Sequence, residues 1–233
     1  MSELVLVRHG QASFGADSYD KLSEKGVEQV RILSRHWAET GERFDAIYSG
    51  TLLRQRETAN ELLPLVAAKP IENPAFNEYN GDPIMRVYLR DHAGADGFEQ
   101  PIGWPIRDER QFQTVFEAAC GRWIRGELNP DNADENFEHW SDFQSRVYGA
   151  VDEIMKNHDS GSRVLVSTSG GVIAMILQRV LQFPDQGVIT TNWMVRNSSV
   201  SRIKYGQGKV SLTQFNSLPH LERPGLQEMI TYR

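Results

Sequence analysis

Cysteine and long apolar runs are both scarce in this chain. Cys120 is the single cysteine among 233 residues, which excludes an intrachain disulfide and a cysteine-rich zinc site and is typical of a reducing compartment. The longest apolar run after the N-terminal strand pattern covers only residues 172–177, far short of the ~20 residues of a membrane span. No charged segment followed by a long apolar segment opens the sequence. We therefore expect a cytoplasmic protein without membrane contact.

Positively charged residues are fewer than negatively charged ones. The 25 Lys and Arg residues face 31 Asp and Glu residues, which gives a formal net charge of −6. Proteins that bind nucleic acid need a basic face to neutralise phosphates, so the composition argues against such a partner. The length fits one large domain or a domain with a substantial insertion. Nothing in the sequence defines an oligomeric state.

Short apolar strand patterns alternate with helical patterns over most of the chain. Strands are predicted at residues 4–7, 45–49 and 163–167, and helices at about 23–41, 51–66 and 172–183. This alternation is typical of a three-layer α/β/α sandwich with a mainly parallel sheet. Two further alternating segments, residues 200–203 and 210–215, flank a glycine-containing turn and predict an antiparallel hairpin at the sheet edge.

The alternation is lost between about residues 70 and 137. Six of the ten prolines lie between Pro70 and Pro130. We interpret this segment as an insertion or lid within a single domain, with a helix at 109–126 and a further helix following at 138–157.

Polar residues follow three of the predicted strands. Arg8 and His9 come after the first strand, Arg54 shortly after the second, and a Gly-Gly turn at 170–171 after the third. The carboxyl ends of parallel strands meet at one sheet edge, where α/β proteins bind ligands. Arginine forks and helix N-terminal amides both suit phosphate. Because two cations disfavour an imidazolium, the pattern predicts a neutral His9 that attacks a phosphoryl group.

Three ordered blocks then carry a resemblance to a known family. Residues 6–11 read Leu-Val-Arg-His-Gly-Gln, residues 22–29 read Leu-Ser-Glu-Lys-Gly-Val-Glu-Gln, and residues 49–59 contain Ser-x-x-x-x-Arg-x-x-x-Thr-Ala. Together they resemble the histidine phosphatase superfamily, which includes phosphoglycerate mutases and phosphomonoesterases. Phe143, Arg146 and residues 197–200 also fit. The resemblance covers roughly residues 3–66 and 138–205, and hardly touches the insertion.

The resemblance implies a phosphatase that forms a phosphohistidine at His9 and acts on a small phosphate ester. Arg8 and Arg54 would bind the phosphoryl oxygens, so neither a metal nor another cofactor is expected. Glu78, in a Glu-x-x-Gly element, would give a proton to the leaving group, which requires a carboxyl that is protonated at that step. Other residues expected to contact the substrate are Gln11 and the insertion arginines Arg86, Arg90, Arg107 and Arg110.

The last family motif is altered. Its usual Ser-His-Gly-Gly appears here as Thr-Ser-Gly-Gly at residues 168–171, so Ser169 stands in place of the second catalytic histidine. The Ser169 hydroxyl and the Gly170 amide would complete the phosphate cradle, but without positive charge. Losing one well-placed donor costs ~10²–10³ in rate. His92 and His139 of the insertion are candidate replacement donors.

Two alternatives to a phosphatase follow from these observations. Because the second histidine is absent, the chain could be a regulatory protein that binds phosphate esters with little turnover. A phosphoglycerate mutase is the weaker alternative, since residues 79–83 read Tyr-Asn-Gly-Asp-Pro and lack the block that resembles the mutases.

Overall fold

The computed structural model describes residues 1–13, 20–99 and 102–232. These residues group into two compact units, which we call the first unit (Met1–Glu78 with Val147–Arg233) and the second unit (Tyr79–Arg146). Residues 100 and 101 of the predicted insertion lie outside the described part. That residues 70–137 form a lid within one domain stays a prediction.

A six-stranded sheet forms the centre of the first unit. Its strands, in chain order, are β1 (Ser2–Arg8), β2 (Ala46–Ser49), β3 (Ile71–Glu72), β4 (Arg163–Thr168), β5 (Val200–Gly206) and β6 (Lys209–Ser217). Their spatial order is β3-β2-β4-β1-β5-β6. The first four strands run parallel, whereas β5 pairs antiparallel with both β1 and β6. The predicted α/β class with an antiparallel edge is confirmed.

Seven α-helices accompany these strands within the described residues. They are α1 (Glu24–Glu39), α2 (Leu53–Leu62), α3 (Gly81–Asp91), α4 (Glu109–Ile124), α5 (Trp140–Asn157), α6 (Gly170–Leu181) and α7 (Gln186–Met194). Ser23 caps α1 as predicted, because its side chain accepts a hydrogen bond from the Gly26 N–H. The predicted helix at 51–66 was too long: α2 ends at Leu62, since Pro64 cannot continue an α-helix and a short 3₁₀ turn replaces it.

Apolar side chains cover both faces of the central strands β1 and β4. Val5, Val7 and Leu165 on one face pack with Leu33 of α1 and Leu62 of α2. The alternate residues of the same strands, which point to the other face, are also fully buried, and α6 packs against β1 and β6. Burial on both faces explains why these strands read as continuous apolar runs rather than alternating ones.

The second unit contains α3, α4 and the start of α5. Trp123 lies at the centre of an aromatic cluster, with ring centroids 4.9 Å from both Tyr79 and Trp140. The sequence did not predict α3, because Gly81 and Pro83 are typical of loops. Pro83 lies in the first turn of that helix, where a missing backbone N–H has no consequence.

Cys120 is fully buried in α4, as a small apolar residue would be. None of the helices in residues 1–13, 20–99 and 102–232 combines the length and the apolar character that crossing a membrane requires.

Candidate active site

His9 follows β1 directly and lies beside the end of β4. Its backbone N–H donates to the Thr168 carbonyl at 2.9 Å, and its side chain is only 6% exposed. The ring atom Nδ1 lies 2.7 Å from the Gly10 carbonyl oxygen. Because a carbonyl only accepts hydrogen bonds, Nδ1 carries the proton and Nε2 keeps its lone pair. His9 therefore presents an unprotonated Nε2, the atom through which a neutral imidazole can act as a nucleophile.

Arg54, in the first turn of α2, contacts that lone pair. Its Nε–H donates to His9 Nε2 at 3.2 Å. The terminal nitrogen Nη1 lies 2.5 Å from Asp20 Oδ1, and the second Asp20 oxygen accepts the Leu53 N–H at 2.7 Å. Asp20 therefore holds the guanidinium and binds the start of α2 at the same time. Sequence reasoning did not identify Asp20.

The pKa of His9 lies well below its ordinary value. Burial is the largest cause, because it removes water from the imidazolium, and the positive charges of Arg54 and Arg8 act in the same direction. His9 is therefore neutral at pH 7. The two arginine charges act as the sequence predicts, but burial has the larger effect, which the sequence pattern does not show.

The backbone around His9 is held from several sides. The Gly10 N–H donates to Thr58 Oγ1 at 3.2 Å, and Asn197 Nδ2 donates to the His9 carbonyl at 3.2 Å. A methyl group added to Gly10 would lie 2.3 Å from the Gly26 carbonyl oxygen. The loop therefore packs against the start of α1 with no space for a side chain at residue 10.

Ser169 directly follows the neighbouring strand β4 and precedes α6. Arg8 is opposite Thr168 in the parallel register, so His9 and Ser169 are the next residues on the two strands. Ser169 is 1% exposed, and its Oγ accepts a hydrogen bond from Gln55 Nε2 at 2.9 Å. The contact with Gln55 was not predicted.

Gly170 and Glu78 lie at the start of α6. A methyl group added to Gly170 would lie 2.3 Å from Asn192 Oδ1, so a larger residue would have to displace that side chain. Glu78 Oε2 accepts the Gly171 N–H at 2.9 Å. The segment that carries Glu78 is held there because Thr168 Oγ1 donates to the Phe76 carbonyl at 2.7 Å.

The other predicted residues of the first unit have clear positions. Arg8 lies close enough to His9 to lower its pKa, and one terminal nitrogen donates to the Val195 carbonyl. The side-chain oxygen of Gln11 accepts the Ser23 hydroxyl at 3.1 Å. Gln11 therefore contacts the start of α1.

The predicted residues of the insertion belong to the second unit, where most have protein partners. Arg86 pairs with Asp82 at 2.9 Å, and Arg90 pairs with Asp91 at 2.6 Å. His92 Nε2 lies 3.1 Å from the Glu127 carbonyl oxygen. Arg107, Arg110 and the exposed His139 complete the set. Substrate contact by these residues stays a prediction.

His220 supports the His9 loop from the C-terminal side. Its Nε2 lies 2.9 Å from the hydroxyl of Ser198, a residue with a φ of 56° whose N–H donates to the Arg8 carbonyl at 3.1 Å. His220 is fully buried. Burial, with smaller effects of His36 and Arg223, lowers its pKa to about 3.

This lowered pKa predicts a loss of stability in acid. The unfolded chain binds a proton at residue 220 below about pH 6.5, whereas the folded chain does not bind it until about pH 3. The contribution of the neutral His220 to the free energy of unfolding is therefore complete above pH 6.5, and it is lost as the pH falls. Between pH 7 and pH 5, the free energy of unfolding of the natural protein should fall by about 2 kcal/mol more than that of His220→Gln, which lacks this titrating group. Urea unfolding at both pH values measures this change, and a constant difference would contradict it.

No group of three or more His, Cys, Asp or Glu side chains in the described part of the chain is arranged to hold a metal ion. What the sheet edge does bring together is a neutral histidine, arginine side chains and the start of a helix. This fold and arrangement are those of an α/β enzyme that handles phosphate groups.

The comparison with known families agrees with this class. The model described as histidine phosphatase superfamily (branch 1) matches residues 4–92 and 102–218, and the chain belongs to that superfamily. The resemblance noted from the motifs is confirmed. Its expected limits were too narrow, since the match extends across most of the segment interpreted as an insertion. That segment has helices but few short motifs, so its similarity was not visible in the sequence alone.

Individual relatives are distant but similar over nearly the whole chain. A metal-independent phosphoserine phosphatase of Arabidopsis thaliana is 25% identical and covers 97% of this chain and 85% of its own. A phosphoglycerate mutase structure from Bacillus anthracis has a TM-score of 0.65 at 22% identity, with 94% of each chain covered. A phosphoserine phosphatase of Entamoeba histolytica, solved with 3-phosphoglyceric acid, has a TM-score of 0.62 at 17% identity, covering 95% of this chain and 100% of its own. The structural matches show a shared fold.

Proposed function

We propose that this chain is a phosphatase that hydrolyses small phosphate monoesters through a phosphohistidine at His9. The observation that carries the proposal is the state of the imidazole. It is neutral, its Nδ1–H is bound to the Gly10 carbonyl, and its Nε2 lone pair faces Arg54. A fixed tautomer beside a phosphate-binding cation is what in-line attack on a phosphoryl group requires.

In the first step, His9 Nε2 attacks phosphorus and the ester P–O bond breaks. Arg54 shifts its hydrogen bond from Nε2 to the phosphoryl oxygens, and Arg8 adds a second positive charge. Glu78 gives its proton to the departing oxygen, which leaves as an alcohol. In the second step, Glu78 takes a proton from water, the water oxygen attacks phosphorus, and the P–N bond breaks to release inorganic phosphate and free His9.

Ser169 and Gly170 complete the cradle in this proposal. The Ser169 hydroxyl and the Gly170 amide lie at the N-terminus of α6, and backbone donors at a helix N-terminus favour an anion. Ser169 stands where the superfamily resemblance leads one to expect a histidine. The phosphoryl group would then be bound by neutral donors on this side and by arginines on the other.

The substrate class follows from the relatives rather than from the pocket. One relative is named a phosphoserine phosphatase and another is described with 3-phosphoglyceric acid. Both names concern small phosphorylated metabolites with a carboxylate. We therefore propose a small phosphate ester of this kind as substrate, and no nucleic acid.

The test combines turnover with trapping of the intermediate. The natural protein should release phosphate from a chromogenic phosphomonoester and, quenched during turnover with labelled substrate, carry label that is stable in base and labile in acid, as phosphohistidine is. Folded protein that binds phosphate but shows neither turnover nor label would favour the regulatory alternative. Transfer between the two monophosphoglycerates without net hydrolysis would favour the mutase.

A further inference from the structure

Two consecutive residues of α2 contact two neighbouring strand ends. Arg54 donates to His9, which follows β1, and Gln55 donates to Ser169, which follows β4. Gln55 is fully buried. Its Nε2 also donates to the Phe76 carbonyl at 3.0 Å. The first turn of α2 thus contacts both His9 and Ser169, the two residues beside which a phosphoryl group on His9 would lie.

The hydrogen bonds of Gln55 determine which way its amide points. The Phe76 carbonyl is an acceptor and already receives the Thr168 hydroxyl at 2.7 Å, so Gln55 must present its NH₂ group there. Both hydrogens of Nε2 are then used, one on Phe76 and one on Ser169. Ser169 consequently accepts from Gln55 through a lone pair, and its single hydroxyl hydrogen stays available for donation to another group.

We propose that Gln55 is a positioning residue for phosphoryl transfer, because it keeps the Ser169 hydroxyl oriented as a hydrogen-bond donor to the phosphoryl group on His9. This inference rests on the proposed function. The pair supplies a directed neutral donor at the place where the superfamily resemblance implies a histidine. It differs from a general structural role because it specifies the direction of one hydrogen bond.

The packing around Gln55 agrees with this assignment. A methyl group added to Gly50 would lie 1.9 Å from Gln55 Oε1 and 2.7 Å from Asn77 Oδ1. The amide is therefore enclosed, with Gly50 on one side and Ser169 on the other. An imidazole at residue 169 would lack the hydroxyl to which Gln55 Nε2 donates at 2.9 Å. Gln55 and Ser169 therefore suit each other as a hydrogen-bonded pair.

Gln55→Glu tests the direction of the hydrogen bond, because it keeps the shape and changes the polarity with pH. In its protonated form, the introduced carboxyl group has one hydrogen, which it can donate to Ser169 while the Phe76 carbonyl keeps its hydrogen bond from the Thr168 hydroxyl. In its ionised form, it instead accepts the Ser169 hydroxyl hydrogen and adds a negative charge beside the phosphoryl group. We expect kcat/KM of the variant to approach that of the natural protein at low pH and to fall about 10²-fold below it at high pH.

Every titratable group other than residue 55 is common to both proteins, so the ratio of the two pH profiles isolates residue 55. Asn60→Asp is the matched control, since it makes the same amide-to-carboxylate change on the exposed side of α2; its ratio to the natural protein should be flat. A flat ratio for Gln55→Glu would assign Gln55 a purely structural role and overturn the proposal.

A second arm uses Ser169→Ala and Gln55→Leu, alone and together. Each single change should lower kcat at least about 10-fold, and the double variant should be no slower than Ser169→Ala, because the two residues act through one donor. If the loss of kcat in the double variant equals the product of the two single losses, the two residues act independently and the proposal is overturned. Thermal unfolding identifies any variant that does not fold. If Gln55→Leu does not fold, the pH profile of Gln55→Glu and the rate of Ser169→Ala decide the outcome.

Binding of inorganic phosphate separates this inference from the proposed function. If the natural protein turns over no faster than His9→Ala, the phosphatase proposal fails. Gln55→Glu should even then bind phosphate about 10-fold more weakly at high pH than at low pH, relative to the natural protein. If turnover fails and this relative affinity is also independent of pH, both proposals fail.

Discussion

Replacing His9 with alanine is expected to reduce phosphomonoester hydrolysis to the buffer rate, a loss of about 10⁴-fold or more. The variant removes the nucleophile, and the remaining arginines can bind the ester but have no atom to which phosphorus can transfer. The base-stable, acid-labile label should disappear with the activity. Initial rates on a chromogenic ester, together with thermal unfolding, measure both effects.

His158→Ala is the control for this change. The His158 ring contacts the Tyr48 hydroxyl at 3.1 Å, and neither residue belongs to the candidate site, so removal of the ring should leave the rate within about twofold. If His9→Ala and the natural protein hydrolysed the ester equally, the activity would not come from this site. Phosphate binding without turnover would then be the better description of the chain.

Arg54→Ala should lower kcat/KM by about 10³-fold, because it removes positive charge at the phosphoryl oxygens. Arg54→Lys should recover only part of this loss, since an ammonium group cannot reproduce the two-pronged donor geometry of a guanidinium. The control is Arg56→Ala, which removes an exposed arginine of the same helix. Arg56 pairs with Glu72 at 2.8 Å.

Arg54→Ala should also shift the pH profile of kcat/KM. Arg54 is one cause of the lowered pKa of His9, after burial. Without its charge the pKa rises, so His9 becomes protonated at a higher pH and the acidic limb of kcat/KM shifts upward. Profiles measured from acid to neutral pH detect this shift. An unmoved acidic limb, despite the lost activity, would mean that another group controls it.

The site residues that could be predicted are those fixed by strand ends. His9 and Ser169 follow parallel strands, and the carboxyl ends of parallel strands necessarily meet, so sequence position alone placed them at one sheet edge. The buried character of β1 and β4 was equally readable, because both faces of these strands are covered and their residues are apolar throughout.

Asp20 and Gln55 could not be found in this way. Asp20 reaches the start of α2 from a position 33 residues earlier in the chain, and Gln55 meets Ser169 across 114 residues. No spacing or periodicity records such contacts. Gln55 also occupies a variable position of the motif at residues 49–59, so the motif drew attention to its neighbour Arg54 alone.

The insertion arginines show a different limit. A sequence supplies the number of positive charges but not their partners, and Arg90 proves to be surrounded by carboxylates at Asp91, Asp131 and Glu135. The helix α3 that carries it was missed because proline and glycine in a first turn look the same in sequence as they do in a loop.

The enclosure of Gln55 between Gly50 and Ser169 has an evolutionary consequence. Exchange of serine for histidine at residue 169 would remove the hydroxyl to which Gln55 Nε2 donates, and shortening of residue 55 would leave that hydroxyl without its donor. A change at either residue therefore alters the hydrogen bonding of the other. Residues 55 and 169 should accordingly be inherited as a pair among related chains.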